Sequence, residues 1–182
     1  MIKHPNTMTR ADIIKKIKDN HAQFITDLSG MDETDFVYAQ PEKWSAGQQL
    51  EHIVKAIAPI NMAFSLPRFM LRLMFGKPNR KGRTYDELVQ KYQAKLAAGG
   101  KSTKPFIPKL VVFTQKTIFI NHLQKSIDKL EKQLAHYDEN QLDSYLLPHP
   151  LLGKLTLREM LYFSTYHVEH HRLSIKKQLF ER

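Results

Sequence analysis

Apolar residues that return every three or four positions constrain this chain more than any other feature. Between Thr114 and Tyr137 the series Ile120, Leu123, Ile127, Leu130 and Leu134 keeps a single apolar stripe with lysines outside it, which is the spacing of a long amphipathic helix. Three more segments carry the same period. Thr9-Arg10-Ala11-Asp12 resembles a capping box with Asp in place of Glu. The stripe Ile13, Ile14, Ile17, Phe24 and Leu28 after it predicts a first helix ending near Ser29-Gly30. His21 falls on that stripe and reads as a packed or rim histidine. Ser45 is the N-cap of a second helix, with His52, Ala56, Ile60 and Phe64 along one side and Pro59 and Pro67 expected to kink or end it. Thr156-Leu157-Arg158-Glu159 is another capping box, after which Leu157, Leu161, Ser164, Val168, His171, Ile175 and Leu179 trace one side of a fourth helix.

No segment alternates in the manner of a strand and there is no internal repeat, so the expected class is all-α, a four-helix bundle. With 182 residues and 42% hydrophobic content, the chain can bury one sizeable core, and a single domain over 1–182 is expected. The Asp-rich stretch from Met31 to Pro41 reads as a loop, as does the stretch holding Pro148-His149-Pro150 and Gly153. Residues 67–109 read as an insertion between helices two and three. It holds an apolar-basic piece from Phe69 to Phe75, a turn at Gly76 to Arg83, a short helix from Tyr85 to Ala98 and a Gly99-Gly100 linker. This insertion is the long crossover of the expected bundle.

The formal charge of +10 is local to that insertion. Arg68 to Lys109 holds 11 Lys and Arg against 2 Asp and Glu, leaving 17 against 16 for the rest of the chain. Such a distribution argues for a charged surface patch rather than for a protein built around nucleic acid. Met1 to Asn6 is followed by a charged helix-like stretch, and no run approaches the roughly 18 apolar residues of a membrane span. A cytoplasmic location is therefore expected.

There is no cysteine, which excludes disulfides and thiolate metal sites and leaves histidine and carboxylate as the only ligands for a transition metal. The histidines are placed accordingly. Tyr166-His167-Val168-Glu169-His170-His171-Arg172 puts three imidazoles within five residues, and His167 and His171, four apart, share one helix face. His52, in Trp44-Ser45-Ala46-Gly47-Gln48-Gln49-Leu50-Glu51-His52, is the candidate third ligand from another helix. His170, three from His167, is the alternative to His171, which is preferred because the apolar stripe passes through it. Three neutral nitrogens leave a coordination position open, as in catalytic zinc sites, and they suit zinc, nickel, iron, manganese or copper. The string is not His-Glu-x-x-His, so the general base of that peptidase motif is missing. Trp44 reads as a core or rim anchor. His149 is an auxiliary acid/base candidate or a turn residue.

With these elements in place, the chain resembles the DinB/YfiT-like bundles. Trp44 to His52 looks like the Trp-Ser-x(n)-His start of that family's second helix, and His149 to Thr156 followed by His167 to His171 looks like its His-x-x-His-His element. The resemblance implies an up-down-down-up bundle with a divalent ion, zinc or nickel, on His52, His167 and His171. It also implies an activity among metal-dependent hydrolases or transferases of low-molecular-weight thiols such as bacillithiol, mycothiol or glutathione, and a homodimer. The Gln usual after the last histidine is replaced here by Arg172-Leu173-Ser174, and the basic insertion is long. Both departures bear on the substrate. The expected function is thus a metal-dependent enzyme activating water or a thiol for a small, anionic or thiol substrate, with Lys77, Arg80, Lys81 and Arg83 on the substrate side. The competing expectation is a non-catalytic stress-response or binding module whose basic insertion meets nucleic acid or an anionic surface. That module lacks a nucleic-acid motif or stacking aromatics to support it.

Overall fold

Residues 7–182 are described by a computed structural model of the chain; the reading made of Met1 to Asn6 lies outside the described residues. The described residues are mostly helical with one small antiparallel hairpin, in keeping with an all-α class. Helix α1 (Arg10–Ser29) starts at the expected capping box, with the Thr9 side chain accepting from the Asp12 backbone and the Asp12 carboxylate accepting from Thr9 N at 3.0 Å. A short α2 (Glu33–Val37), capped by Asp32, corrects the loop reading of that stretch. A helix this short has too few turns to show a period, and it is fixed by Phe36, which is fully buried in the core.

Helix α3 (Ala46–Ser65) is capped by Ser45, whose partner in the box is Gln48. It continues through Pro59 and ends just before Pro67, where Leu66 turns to an extended backbone, the conformation that a following proline imposes. The chain then folds as α4 (Arg68–Phe75), α5 (Tyr85–Ala97) and an irregular strap with short 3-10 turns at Lys104–Phe106 and Phe113–Gln115. Helix α6 (Lys116–Leu134) is the one expected from the heptad-like series, and a short α7 (Glu139–Ser144) follows it.

The stretch around His149 is not a plain loop. Strands β1 (Leu146–His149) and β2 (Gly153–Thr156) pair antiparallel, with Leu146 opposite Thr156 and His149 opposite Gly153. Gly153 takes a positive φ of 77° at the turn, which suits a residue without a side chain. Four-residue strands interrupted by Pro148 are too short to show alternation. Helix α8 (Leu157–Phe180) leaves β2 directly through the Thr156/Glu159 capping box.

The four long helices pack in a ring: α3 against α6, α6 against α1, α1 against α8 and α8 against α3, with α5 laid on α8. Their facing stripes, among them Ile13, Leu50, Leu123 and Leu161, are essentially inaccessible to solvent, and each such side chain contributes roughly 1.5–3 kcal/mol of transfer free energy. Residues 67–109 are fastened to the rest of the fold by their own basic side chains and by a neighbouring one. Arg80 forks onto both oxygens of Glu159, each at 2.7 Å, and Arg83 adds its backbone N–H and guanidinium at 2.9 and 3.1 Å. Lys91 donates to Leu152 O at 3.0 Å, and Lys55 of α3 donates to Ile107 O at 2.8 Å. Arg68 donates to His136 O and lies over the Tyr137 ring. Four basic side chains of this stretch, Arg68, Arg80, Arg83 and Lys91, thus hold it against its neighbours. No helix among the described residues is long and apolar enough to cross a membrane.

Candidate metal centre

The contact of α3 with α8 brings together three imidazoles from distant parts of the chain. His52 Nε2 and His171 Nε2 each lie 3.1 Å from His167 Nε2, and all three nitrogens fall within 4.8 Å of one another. Zinc–nitrogen bonds of 2.0–2.1 Å in a tetrahedron place neighbouring ligand nitrogens ~3.3 Å apart, so the spacing is that of a ligand set before any movement. The helix supplies half of it, because His167 and His171, one turn apart, stand one above the other on the inward face of α8.

The hydrogen bonds behind the rings decide which nitrogens carry protons. His52 Nδ1 donates to the Phe106 carbonyl at 2.7 Å; a carbonyl only accepts, so that nitrogen holds the proton and Nε2 is bare. Gln49 Nε2 donates to Trp44 O at 3.0 Å, which turns its Oε1 toward His171 Nδ1 at 2.9 Å. His171 Nε2 is therefore bare as well. A proton on His167 Nε2 could satisfy one of these two lone pairs with good geometry, not both. A cation at their common focus satisfies all three, and an acceptor holding the far N–H of the ring is what ligating histidines characteristically have behind them.

Burial reinforces neutrality. It pushes His167 and His171 well below the ordinary imidazole value, with the imidazoles of His52 and His170 adding in the same direction for both. It also lowers His52, against an opposing contribution from the Phe106 carbonyl. Neutral imidazole is the ligand form. Aromatic rings close over the cluster. Phe163 stacks on His167 at 4.6 Å, and Trp44 lies parallel to His171 at 6.2 Å and tilted on His52 at 5.0 Å.

The other expected residues fall differently. His170 does not join the three nitrogens; its ring meets Tyr92 of α5 edge-on at 5.9 Å, because three residues from His167 it faces α5 rather than α3. His149 does face the same cavity, packed on Phe163 at 4.2 Å, but its Nδ1 accepts the backbone N–H groups of Leu151 and Leu152, each at 3.1 Å. It therefore caps the hairpin turn, with burial pushing it down to about 4. None of Lys77, Arg80, Lys81 and Arg83 lines the cavity beside the imidazoles. Arg80 and Arg83 are drawn instead to Glu159, whose side chain is completely buried. The lysine that does line the cavity is Lys101. Trp44 is more than a packing anchor, since it forms part of the cavity wall beside two of the imidazoles.

Sequence reasoning missed the two backing groups. Gln49 stands three residues before His52 on one helix face, a visible signal once the α3–α8 pairing is known. The Phe106 carbonyl has no side-chain signature.

The family model described as the DinB superfamily matches residues 18–175, well over half of the chain and inclusive of all three histidines. No curated protein matches the sequence.

Proposed function

Since the chain belongs to the DinB superfamily, we propose that it is a metal-dependent enzyme in which His52, His167 and His171 hold one divalent ion, zinc or nickel. The observation that carries this reading is the pair of bare Nε2 atoms facing a third at 3.1 Å, since two of the protons are committed to the Phe106 and Gln49 acceptors. An ion held there supplies Lewis-acid chemistry, lowering the pKa of a water or thiol and polarising an acyl or phosphoryl oxygen.

Transfer of a low-molecular-weight thiol is favoured over hydrolysis. No carboxylate lines the cavity among the described residues, so a water nucleophile lacks the Glu base of the His-Glu-x-x-His peptidases. A thiol, more acidic to begin with, needs no such base once activated. Trp44 and Phe163 exclude water around the imidazoles, and the Phe106 and Gln49 acceptors fix the ring orientations.

The scaffold proposed for this chemistry is a single-domain four-helix bundle of up-down-down-up type, with residues 67–109 as its crossover. The order of cross-helix bonds supports it. Asn20 meets Thr165 and Asp27 meets Arg172, advancing together along α1 and α8. Asn61 meets Ser126 and Ser65 meets Gln133, advancing together along α3 and α6. His52 with His167 and Gln49 with His171 run in opposite senses along α3 and α8.

The test is turnover of a panel of thiols with electrophilic acceptors, beside a panel of esters. Thiol-dependent turnover that a chelator abolishes and added zinc or nickel restores is the expected result. Ester turnover without thiol would favour hydrolysis, and turnover indifferent to chelator would contradict the metal reading.

A further inference from the structure

The cavity beside the imidazoles is elongated and almost wholly apolar. Its α3 wall runs from His52 through Ala56, Ile60 and Ala63 to Leu66, a span of ~21 Å at the helical rise. Its α8 wall, from Met160 to His171, covers ~16 Å. The volume is about 590 Å³, ample for a small molecule.

Polarity is distributed unevenly along this length. His52, His167, His170 and His171 gather where α3 meets α8, with His149 beside Phe163 and with Ser102 and Thr103 on the strap, whereas Leu66, Phe75 and Leu147 add only apolar surface. The lining contains one ammonium, that of the exposed Lys101, and no carboxylate. Three methionines, Met62, Met74 and Met160, contribute to the wall, and their unbranched chains adapt to flexible occupants. The apolar wall also continues to the surface. Met62 and Met74 line the cavity yet are 63% and 57% exposed, and α4 beside them turns Phe69 and Leu73 outward at 70% and 83%. Large apolar side chains grouped in the open at a cavity mouth mark a contact or entry site.

We propose that this cavity binds a long-chain acyl or alkyl amphiphile, its polar head at the imidazoles and its chain laid along α3 toward Leu66 and Phe75. The placement of the head rests on the metal-centre reading; the chain site rests on the lining alone. An elongated, largely apolar slot with imidazoles gathered toward one end matches a molecule that is polar at one end only, and an acidic head group meets no carboxylate in the lining.

The test uses the full chain and a fluorescent fatty acid, dansyl-undecanoate, displaced by octanoate, dodecanoate and hexadecanoate below their micellar concentrations. Each buried methylene should tighten binding by up to roughly fourfold, so dodecanoate should compete far better than octanoate. Ala56→Phe, which fills the slot one helical turn from His52, should weaken the probe at least tenfold, with bound metal and helical circular dichroism unchanged. Leu66→Trp at the other end should penalise hexadecanoate more than octanoate. The joint variant His52→Ala with His171→Ala should lose metal and still bind the probe. Affinity independent of chain length, or probe binding untouched by both filling variants, would overturn the proposal while leaving the metal reading intact. Chain-length-dependent binding by a protein that takes up no metal would sink the metal reading and keep the chain site.

Discussion

The side-chain amide of Gln49 accepts the Nδ1–H of His171 at 2.9 Å, across 122 positions of sequence. The same amide donates to the Trp44 carbonyl at 3.0 Å, so its orientation is fixed from behind and the tautomer of His171 is fixed through it. Gln49→Ala should leave the helices in place and lower metal affinity by about 10–100-fold, the usual effect of removing an acceptor behind a ligating histidine. Competition against a chromophoric chelator measures it. Unchanged affinity would mean that the amide does not orient the ligand.

Arg80 and Arg83 converge on the fully buried carboxylate of Glu159. Burial raises the Glu159 carboxyl, but the Arg80 hydrogen bonds and the backbone N–H groups of Thr156 and Arg83 outweigh it and hold it below the ordinary carboxylate range. Arg80→Ala should cost about 2 kcal/mol at neutral pH, less than a fully buried pair because Arg83 remains and Arg80 is partly exposed. A carboxyl depressed in the fold stabilises above its unfolded pKa, and this contribution is lost as pH falls through the lower folded value. Urea unfolding should therefore show the gap between wild type and variant closing in acid.

His21 is buried on α1, its Nδ1 donating to Ile17 O at 2.8 Å, and burial pushes it down to about 4. Between about 6.5 and that value the unfolded chain takes up a proton that the folded one refuses. Stability should fall with pH across this window by roughly 3 kcal/mol from this residue, with no further loss from it at lower pH. His21→Leu should flatten that part of the stability–pH curve. An unchanged slope would show that His21 is already protonated in the fold.

Gly47, in the first turn of α3, has no room for a side chain. A Cβ there would lie 2.7 Å from the Phe36 ring and 3.0 Å from the Val111 carbonyl. Alanine would gain up to about 1 kcal/mol in helix propensity, but the overlap with a buried ring and a backbone atom costs about 1–3 kcal/mol. Gly47→Ala should destabilise by about 1 kcal/mol in thermal or urea unfolding; a more stable variant would show that the contact can give way.

How much of this was legible beforehand follows the physics of each element. Long helices announce themselves through many turns of apolar period, which is why the stripes through Leu123, Leu130 and Leu161 and the caps at Thr9, Ser45 and Thr156 read directly. Helix α2 and the β1–β2 hairpin have too few residues to show any period, and Pro148 argued against a strand where one forms. The histidine spacing exposed two of the three members of the cluster, because four residues is a local helical relation. Joining His52 to it requires the packing of α3 on α8, which no local pattern encodes. The basic insertion read as a charged surface because its partners, Glu159 and the carbonyls of Leu152 and His136, lie far away in sequence.

The central claim is that three neutral imidazoles close on one cation, and metal content measures it most directly. The protein should be loaded with zinc or nickel, passed through a desalting column and analysed for metal by elemental analysis, beside His52→Ala, His167→Ala and His170→Ala. The account predicts about one ion per chain for wild type and His170→Ala, and a loss of that ion in the other two variants. Wild-type protein that keeps no stoichiometric ion, or an ion that survives removal of both His52 and His167, would contradict it.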